Sequence, residues 1–311
     1  MQNNKVSFSI KVKEEIINNF PAQRHCRIAE IASIIACSGR ITPNALIVEC
    51  ENERITQKYF TLLKKTFNIK SDAFEQKGLF SVMVKNKEDV LTILQAVNIL
   101  NGACEYQPIK GLVSDVLLKN SCCKRAFLKT VFQFIGTVSD PLKSKQLEYV
   151  CTNENHANQI MRILNYFELD AKINVRRNKY YVVYVRSKTA VGDFLRIVEA
   201  PLATIEYEQA MVLKEVANKT NRQNNCDVAN SAKAIDAAYK QLEDIKYLNE
   251  CIGLENLSEQ LQSVAKIRLE NPDLGLKDLG ELMTPPLGKS GVNHRLRKIS
   301  ELAQKYREKD T

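Results

Sequence analysis

One stretch of this chain is written twice, and the repetition limits its fold more than any single residue does. Cys50-Glu51-Asn52-Glu53 returns as Cys151-Thr152-Asn153-Glu154. The same offset, without a gap, lays Leu62-Leu63 on Ile163-Leu164 and Ser81-Val82-Met83-Val84-Lys85 on Val182-Val183-Tyr184-Val185-Arg186. It continues through Val90 on Val191 and Leu94 on Leu195 to Val97 on Val198. A helix apolar on most faces precedes each copy. The first covers Arg24–Ser38, with Ile28, Ile31, Ala32, Ile34 and Ile35, and ends at Gly39; the second covers Arg125–Ile135 and ends at Gly136. Helical and alternating patterns preserved together over such a length mean a tandem α+β unit folded about a pseudo-twofold axis.

Within each copy the periodicities predict helix–strand–helix–hairpin–helix. The first copy places a strand at Ala45–Cys50, a helix at Glu53–Phe67, strands at Lys70–Glu75 and Leu79–Lys85, and a helix at Glu88–Leu100. A helix at Ser9–Asn19, stopped by Phe20-Pro21, precedes them. Gly39 and Gly136 read as helix stops. Ala29, Ala32, Ser33 and Ala36 are small enough to let two buried helices lie side by side. This arrangement resembles the LAGLIDADG homing-endonuclease architecture, whose paired helices form the interface and whose sheets form a saddle over DNA. The resemblance implies two metal-holding carboxylates just before the glycines. Ser38 and Ile135 stand there instead, and neither offers the hard oxygen donors that Mg²⁺ needs. The expectation is a chain with no catalytic residues, no metal and no cofactor.

A formal charge of +9 over 311 residues favours a polyanionic partner. No run of about 18 apolar residues exists to span a membrane. The opening MQNNKVSFSIKVKEEI is charged where a signal peptide is apolar. A cytoplasmic, nucleoid-associated protein without a membrane partner is expected. The nine cysteines (26, 37, 50, 104, 122, 123, 151, 226, 251) form no C-x2-4-C pair, and the neighbours Cys122-Cys123 look ill-suited to share one ion. They read as free thiols in a reducing compartment, a zinc site being the weaker alternative.

Two segments carry concentrated basic charge. Lys172–Lys188 holds Lys172, Arg176, Arg177, Lys179, Arg186 and Lys188 with no acid among them. Alternation over Lys172–Arg176 sets Lys172, Asn174 and Arg176 against Ile173 and Val175, giving a strand with one wet face for DNA or a protein partner. The second segment closes the chain. Leu257, Leu261, Val264 and Ala265 predict one helix, ended by Asn271-Pro272-Asp273; Leu276, Leu279, Leu282 and Met283 predict another. After Pro285-Pro286 and Gly288, apolar residues recur at Val292, Leu296, Ile299 and Ala303, with Ser290 where an N-cap belongs. The opposite face collects Ser290, Asn293, His294, Arg297, Lys298 and Glu301, with Arg295 on the flank. A helix pair, a turn and a basic third helix make a helix-turn-helix, whose third element enters the major groove. The connection Thr284–Lys289 is longer than the usual turn, so this is a variant.

The predicted organisation is therefore α+β, then all-α. Residues 1–205 form a LAGLIDADG-like domain with repeats at about 24–100 and 121–200. Residues 206–230 form a helical linker, and 231–311 a C-terminal helix-turn-helix domain. A helix at Ile205–Lys219 is expected to break at NRQNNCDVAN (221–230), where cap and turn residues crowd, and to resume at Ala232–Tyr247.

Nearly the whole chain resembles the bacterial WhiA family. The resemblance is carried by SFSIKVKEEI (7–16), Gly136-Thr137-Val138-Ser139-Asp140-Pro141, NRQNNCDVAN (221–230) and LKDLGELMTPPLGKSGVNHRLRKISELA (276–303). It implies a LAGLIDADG-like domain without nuclease activity, fused to a helix-turn-helix like the promoter-reading part of sigma factors. It further implies a DNA-binding regulator of sporulation, or of division and chromosome segregation. Ser38 departs from the family, which commonly has an acid there. Three functions are in play. In the first, a transcriptional regulator binds double-stranded DNA; Asn293, His294 and Arg297 touch bases, with Ser290 as an optional fourth contact, and Lys277, Lys289, Arg295 and Lys298 anchor phosphates. In the second, the chain is a docking adaptor for another transcription regulator or division protein. In the third, it is a residual endonuclease using other acids, such as Glu30 or Asp140.

Overall fold

The computed structural model describes residues 6–100, 111–177 and 179–309, which form two compact units, one ending at Lys214 and the other beginning at Glu215. The first unit opens with α1 (Phe8–Ile17) and α2 (Arg24–Ser38), followed by β1 (Gly39–Thr42), β2 (Ala45–Cys50), α3 (Glu53–Phe67), β3 (Asp72–Gln76), β4 (Leu79–Val84) and α4 (Lys87–Ala96). The second copy supplies α5 (Ser121–Ile135), β5 (Gly136–Val138), β6 (Leu147–Cys151), α6 (Glu154–Tyr166), β7 (Lys172–Arg176), β8 (Tyr180–Val185) and α7 (Lys188–Ile197). Each copy builds a four-stranded antiparallel sheet, in the order β1-β2-β4-β3 and β5-β6-β8-β7.

The repeated residues turn out to be structural punctuation. Asn52 and Asn153 are the N-caps of α3 and α6, accepting from Arg54 N at 3.0 Å and Asn155 N at 2.8 Å. An acidic residue follows each cap, where the helix dipole favours negative charge. Asn86 and Ser187, one repeat apart, cap α4 and α7 in the same way. Left-handed residues recur too: Asn98 and Glu199 have φ of 56° and 62° just past α4 and α7. In the first hairpin, Lys77 and Gly78 both have positive φ, as the twist-matched two-residue turn requires.

Two short strands escaped the sequence reading, because β1 and β5 begin directly on the helix-ending glycines. Gly39 (φ −82°, ψ 143°) and Gly136 (φ −87°, ψ 149°) are extended rather than left-handed. They stop the helices for a different reason than expected. A Cβ on Gly39 would lie 2.5 Å from the Ile35 carbonyl oxygen, and one on Gly136 would strike the Phe132 ring. The chain can pass straight from helix to strand only where no side chain stands in the way.

Helices α2 and α5 pack along each other and anchor one continuous core. It takes in Ile31, Ile34 and Ile35 from the first copy and Phe127, Leu128 and Phe132 from the second, all at most 1 % exposed. Ala29, Ala32 and Ser33 are buried as close packing requires, and the Ser33 hydroxyl donates to the Ala29 carbonyl at 2.7 Å. Set into this apolar contact is a charged cluster. Glu30, with no exposed surface, receives Lys58 and Lys129, both at 3.3 Å. Lys129 also reaches Glu199 at 3.1 Å, and Lys58 donates to the Asn19 carbonyl at 3.0 Å. Burial pulls the Lys58 pKa below its ordinary value, against the attraction of Glu30.

Helix α8 (Pro201–Cys251) runs unbroken, so the break expected at 221–230 does not exist. No glycine or proline lies between Leu202 and Cys251, and asparagine costs at most about 0.7 kcal/mol per helical residue relative to alanine. The cap-forming side chains simply face solvent: every residue from 216 to 237 is exposed. The start of α8 is capped by α1, whose Glu15 carboxylate accepts from Leu202 N at 2.7 Å and Ala203 N at 2.9 Å. Among the described residues no helix is long and apolar enough to cross a membrane.

Two outcomes are expected in urea denaturation. Glu30→Gln leaves the buried Lys58 ammonium without a carboxylate and Lys129 with Glu199 alone, and should cost about 3 kcal/mol or more, whereas replacing Glu30, Lys58 and Lys129 together by Leu, Met and Met should be close to neutral. Separately, burial lowers the His156 pKa to about 4 from 6.5. The unfolded chain therefore binds a proton that the native state refuses, and stability should fall as pH drops from about 6.5 to 4. At about 1.4 kcal/mol per pH unit the loss approaches ~3 kcal/mol, and His156→Asn should flatten it.

Candidate nucleic-acid interface

The second unit is built from the last part of α8 with α9 (Glu259–Glu270), α10 (Leu276–Glu281) and α11 (Lys289–Arg307). Its core joins Ile245 and Leu248 to Val264, Ala265, Leu279 and Met283, and to the stripe Val292, Leu296, Ile299 and Ala303 of α11. That stripe, read from spacing alone, is at most 1 % exposed.

Two devices set the turns, and neither was legible beforehand. Arg268, 2 % exposed, reaches from α9 to the carbonyls of Leu274 at 2.7 Å and Pro272 at 3.3 Å, while Gln241 Oε1 accepts from its Nη2 at 3.0 Å. One guanidinium thus ties the α9–α10 turn to α8, using the planar fork that lysine lacks. Gly280 receives the backbone of the long connection: Leu287 N donates to its carbonyl at 2.9 Å. A Cβ there would lie 2.0 Å from Leu287 O, so only glycine lets the connection fold back on α10 and deliver α11.

On α11 the polar residues singled out in the sequence fall together. Lys289, Ser290, Asn293, His294, Arg297 and Lys298 are exposed, Arg295 is half-buried, and Lys277 is exposed on α10. Ser290 is not the N-cap. Gly288 holds that position without a side-chain bond, and Ser290 is the second helical residue, because the helix starts two residues earlier than its apolar spacing requires. Its first-turn N–H groups have no side-chain cap, an arrangement suited to a phosphate oxygen. Arg297 Nε lies 3.1 Å from Glu301 Oε1, and Lys277 Nζ lies 3.9 Å from Glu281. Exposed pairs of this kind contribute about 0.3–0.5 kcal/mol and yield to a better acceptor.

The basic hairpin is less bare than its sequence suggests. Lys172, Asn174 and Arg176 do share one face of the sheet. However, Lys172 meets Asp170 at 3.3 Å and Arg176 meets Glu148 at 3.1 Å, acids contributed from outside the segment. Lys179 sits 5.6 Å from the Tyr180 ring and Arg186 4.8 Å from the Tyr184 ring. Arg177 occupies the turn with φ 54°, and Lys188 is half-buried at the start of α7. Val175, expected on the covered side, is 50 % exposed because β7 is an edge strand. The first sheet repeats the pattern of matched charge, with Lys85 on Asp72 at 2.8 Å and Arg40 on Glu49 at 3.4 Å.

The nuclease positions offer nothing to a divalent ion. Ser38 Oγ donates to the Ile34 carbonyl at 3.2 Å, and Ile135 has no donor atom. Glu30 is sealed between its lysines, and Asp140 lies exposed in the turn after β5, accepting from Leu142 N at 2.9 Å. The residues present do not fit the nuclease's metal. The thiols, by contrast, are not all isolated: His25, Cys26, Cys122 and Cys123 converge from α2 and α5. The neighbours Cys122-Cys123 thus do point to one place, against the sequence reading. Of the other cysteines, Cys104 lies outside the described residues.

Comparison with known proteins agrees with this architecture. The profile described as the WhiA C-terminal HTH domain matches residues 220–303, and that of the WhiA LAGLIDADG-like domain matches 31–113 and 124–217. A "probable cell division protein WhiA" from Lachnoclostridium phytofermentans is 40% identical over 97% of this chain and 100% of its own length. One of the same name from Lachnospira eligens is 38% identical over 97% of this chain and 98% of its own. The crystal structure of full-length DUF199/WhiA from Thermatoga maritima is similar in fold, with a TM-score of 0.55 and 21% identity over 96% of this chain and 98% of that one.

Proposed function

The chain belongs to the WhiA family, a LAGLIDADG-like domain followed by a helix-turn-helix, and from that premise we propose that it is a non-enzymatic, sequence-specific DNA-binding regulator of cell division. The observation that carries the reading is α11. One of its stripes is locked into the core, and the opposite face holds Asn293, His294, Arg297 and Lys298 free of it. Asn and Arg are the side chains that pair bidentately with adenine and guanine edges, and lysines meet phosphates as point charges. Lys277, Lys289, Arg295 and Lys298 then set the register of the helix, and Asn293, His294 and Arg297 read the sequence. The division role follows the names of the relatives, and association with the nucleoid follows from duplex binding.

Loss of nuclease activity is supported by the chemistry of the old metal positions, where Ser38 and Ile135 supply no carboxylate. Glu30 is no substitute, because drawing it out would leave the buried Lys58 without a carboxylate partner. The sheets favour a second role, as a docking face for a protein. Lys172, Arg176, Lys85 and Arg40 each have a carboxylate of this chain beside them, which lowers the net positive charge of the sheets and leaves a patterned polar surface.

Gel-shift titration of wild type and variants against genomic fragments selected by the wild-type protein tests the reading. Arg297→Ala should lose about 1–3 kcal/mol and blur the preference for selected over random duplex; Lys298→Ala should weaken both about equally and flatten the salt dependence. Unchanged titrations for both would remove α11 from the interface. Supercoiled plasmid held with stoichiometric protein and Mg²⁺ should stay intact.

A further inference from the structure

Helices α2 and α5 start side by side, and their first turns face each other as equivalent pairs. The spacing that lays Gly39 on Gly136 also lays His25 on Cys122 and Cys26 on Cys123. From each dipeptide both donor atoms turn inward. His25 Nδ1 lies 3.2 Å from Cys123 Sγ, 3.3 Å from Cys26 Sγ and 4.0 Å from Cys122 Sγ, and all four atoms lie within 4.8 Å of one another. We propose that these four side chains form a zinc site that clamps the two repeats together at the start of their shared helix pair.

The donor spacing fits one tetrahedral ion. Zn–S bonds of about 2.3 Å and Zn–N bonds of about 2.0–2.1 Å put neighbouring donors roughly 3.5–3.8 Å apart. The distances found, from 3.2 Å up to at most 4.8 Å, bracket that range, so closing on an ion requires shifts of no more than about 1 Å. The set is three soft sulfurs and one imidazole nitrogen, which selects zinc over magnesium or calcium. Four protein donors leave no open position, so the site is structural rather than catalytic.

The histidine is already oriented for this task. Its far nitrogen, Nε2, lies 2.6 Å from Gln23 Oε1, a carbonyl oxygen that can only accept. The proton therefore belongs on Nε2, which leaves the Nδ1 lone pair directed at the sulfurs, as outer hydrogen bonds do for metal-bound histidines. Cys26 and Cys123 are buried, Cys122 is half-buried and His25 is exposed, so an ion has a way in from one side. Both dipeptides lie in helix first turns, whose dipoles offset part of the burial that raises the Cys26 and Cys123 thiols above their ordinary pKa. The link joins residues far apart in sequence, so it stabilises the fold by restricting the unfolded chain.

Metal analysis of the full chain, purified under reducing conditions without chelator, should find one zinc per chain. Titrating metal-free protein with Co²⁺ should give the intense visible bands of tetrahedral thiolate cobalt. Cys26→Ser with Cys123→Ser should abolish both signals, and Cys226→Ser, at an exposed cysteine outside the cluster, should leave both intact. Adding a strong chelator to the wild type should lower its Tm, a readout that does not depend on the variants folding. The proposal is overturned if wild-type protein is zinc-free and gives no cobalt bands, if the double variant keeps its zinc, or if mass spectrometry of the reduced preparation finds a disulfide between α2 and α5 in place of the ion.

Discussion

Two helices can lie against each other along their length only if little stands between them, and the rest of the first unit depends on that condition being met. Ala29, Ala32 and Ser33 let α2 and α5 approach, and Gly39 and Gly136 let each chain leave the contact directly into a strand. From those two exits the sheets follow, because β1 and β5 are the first residues beyond the glycines and every later strand pairs outward from them. Capping then fixes the helices that cover the sheets. The repeated asparagines at 52 and 153 keep the same office in both copies.

The helix pair also shows that this scaffold does not depend on acids at its two helix ends. In this chain the contact is held by packing, with Glu30 matched by Lys58 and Lys129 so that no buried charge is left alone. Nothing in that arrangement needs an acid at 38 or 135. A catalytic carboxylate at a helix end is a functional demand laid on the fold, and the fold stands when the demand is lifted. The helix-turn-helix is equally self-contained in its logic, with Arg268 and Gly280 shaping the turns and the apolar stripe of α11 seating the helix whose other face is displayed.

Much of this was legible because it is periodic. The ungapped offset placed β2, α3, β4 and their partners, and the spacing of Val292, Leu296, Ile299 and Ala303 gave the buried side of α11. What escaped reading is of two kinds. Local composition misled at 221–230, where asparagines fit for a break sit instead on an exposed helix, and at Ser290, one residue inside the helix it was expected to cap. Long-range convergence was invisible. No local spacing shows that His25-Cys26 meets Cys122-Cys123, or that Asp170 and Glu148 shadow the cations of β7. The alignment of Gly39 with Gly136 held the first of these, had it been carried back one turn past Arg125.

The exposed stretch of α8 has a consequence of its own. Between 216 and 237 the backbone is held by its own ladder of hydrogen bonds, with water on every side. A helix in that condition has only its intrinsic propensity to keep it wound, and for asparagine-rich sequence that is a narrow margin. Its amides should exchange with solvent long before those of either core, and a protease should find its first foothold there. The chain thus carries a built-in weak link that can fray and rewind while the packed regions stay intact.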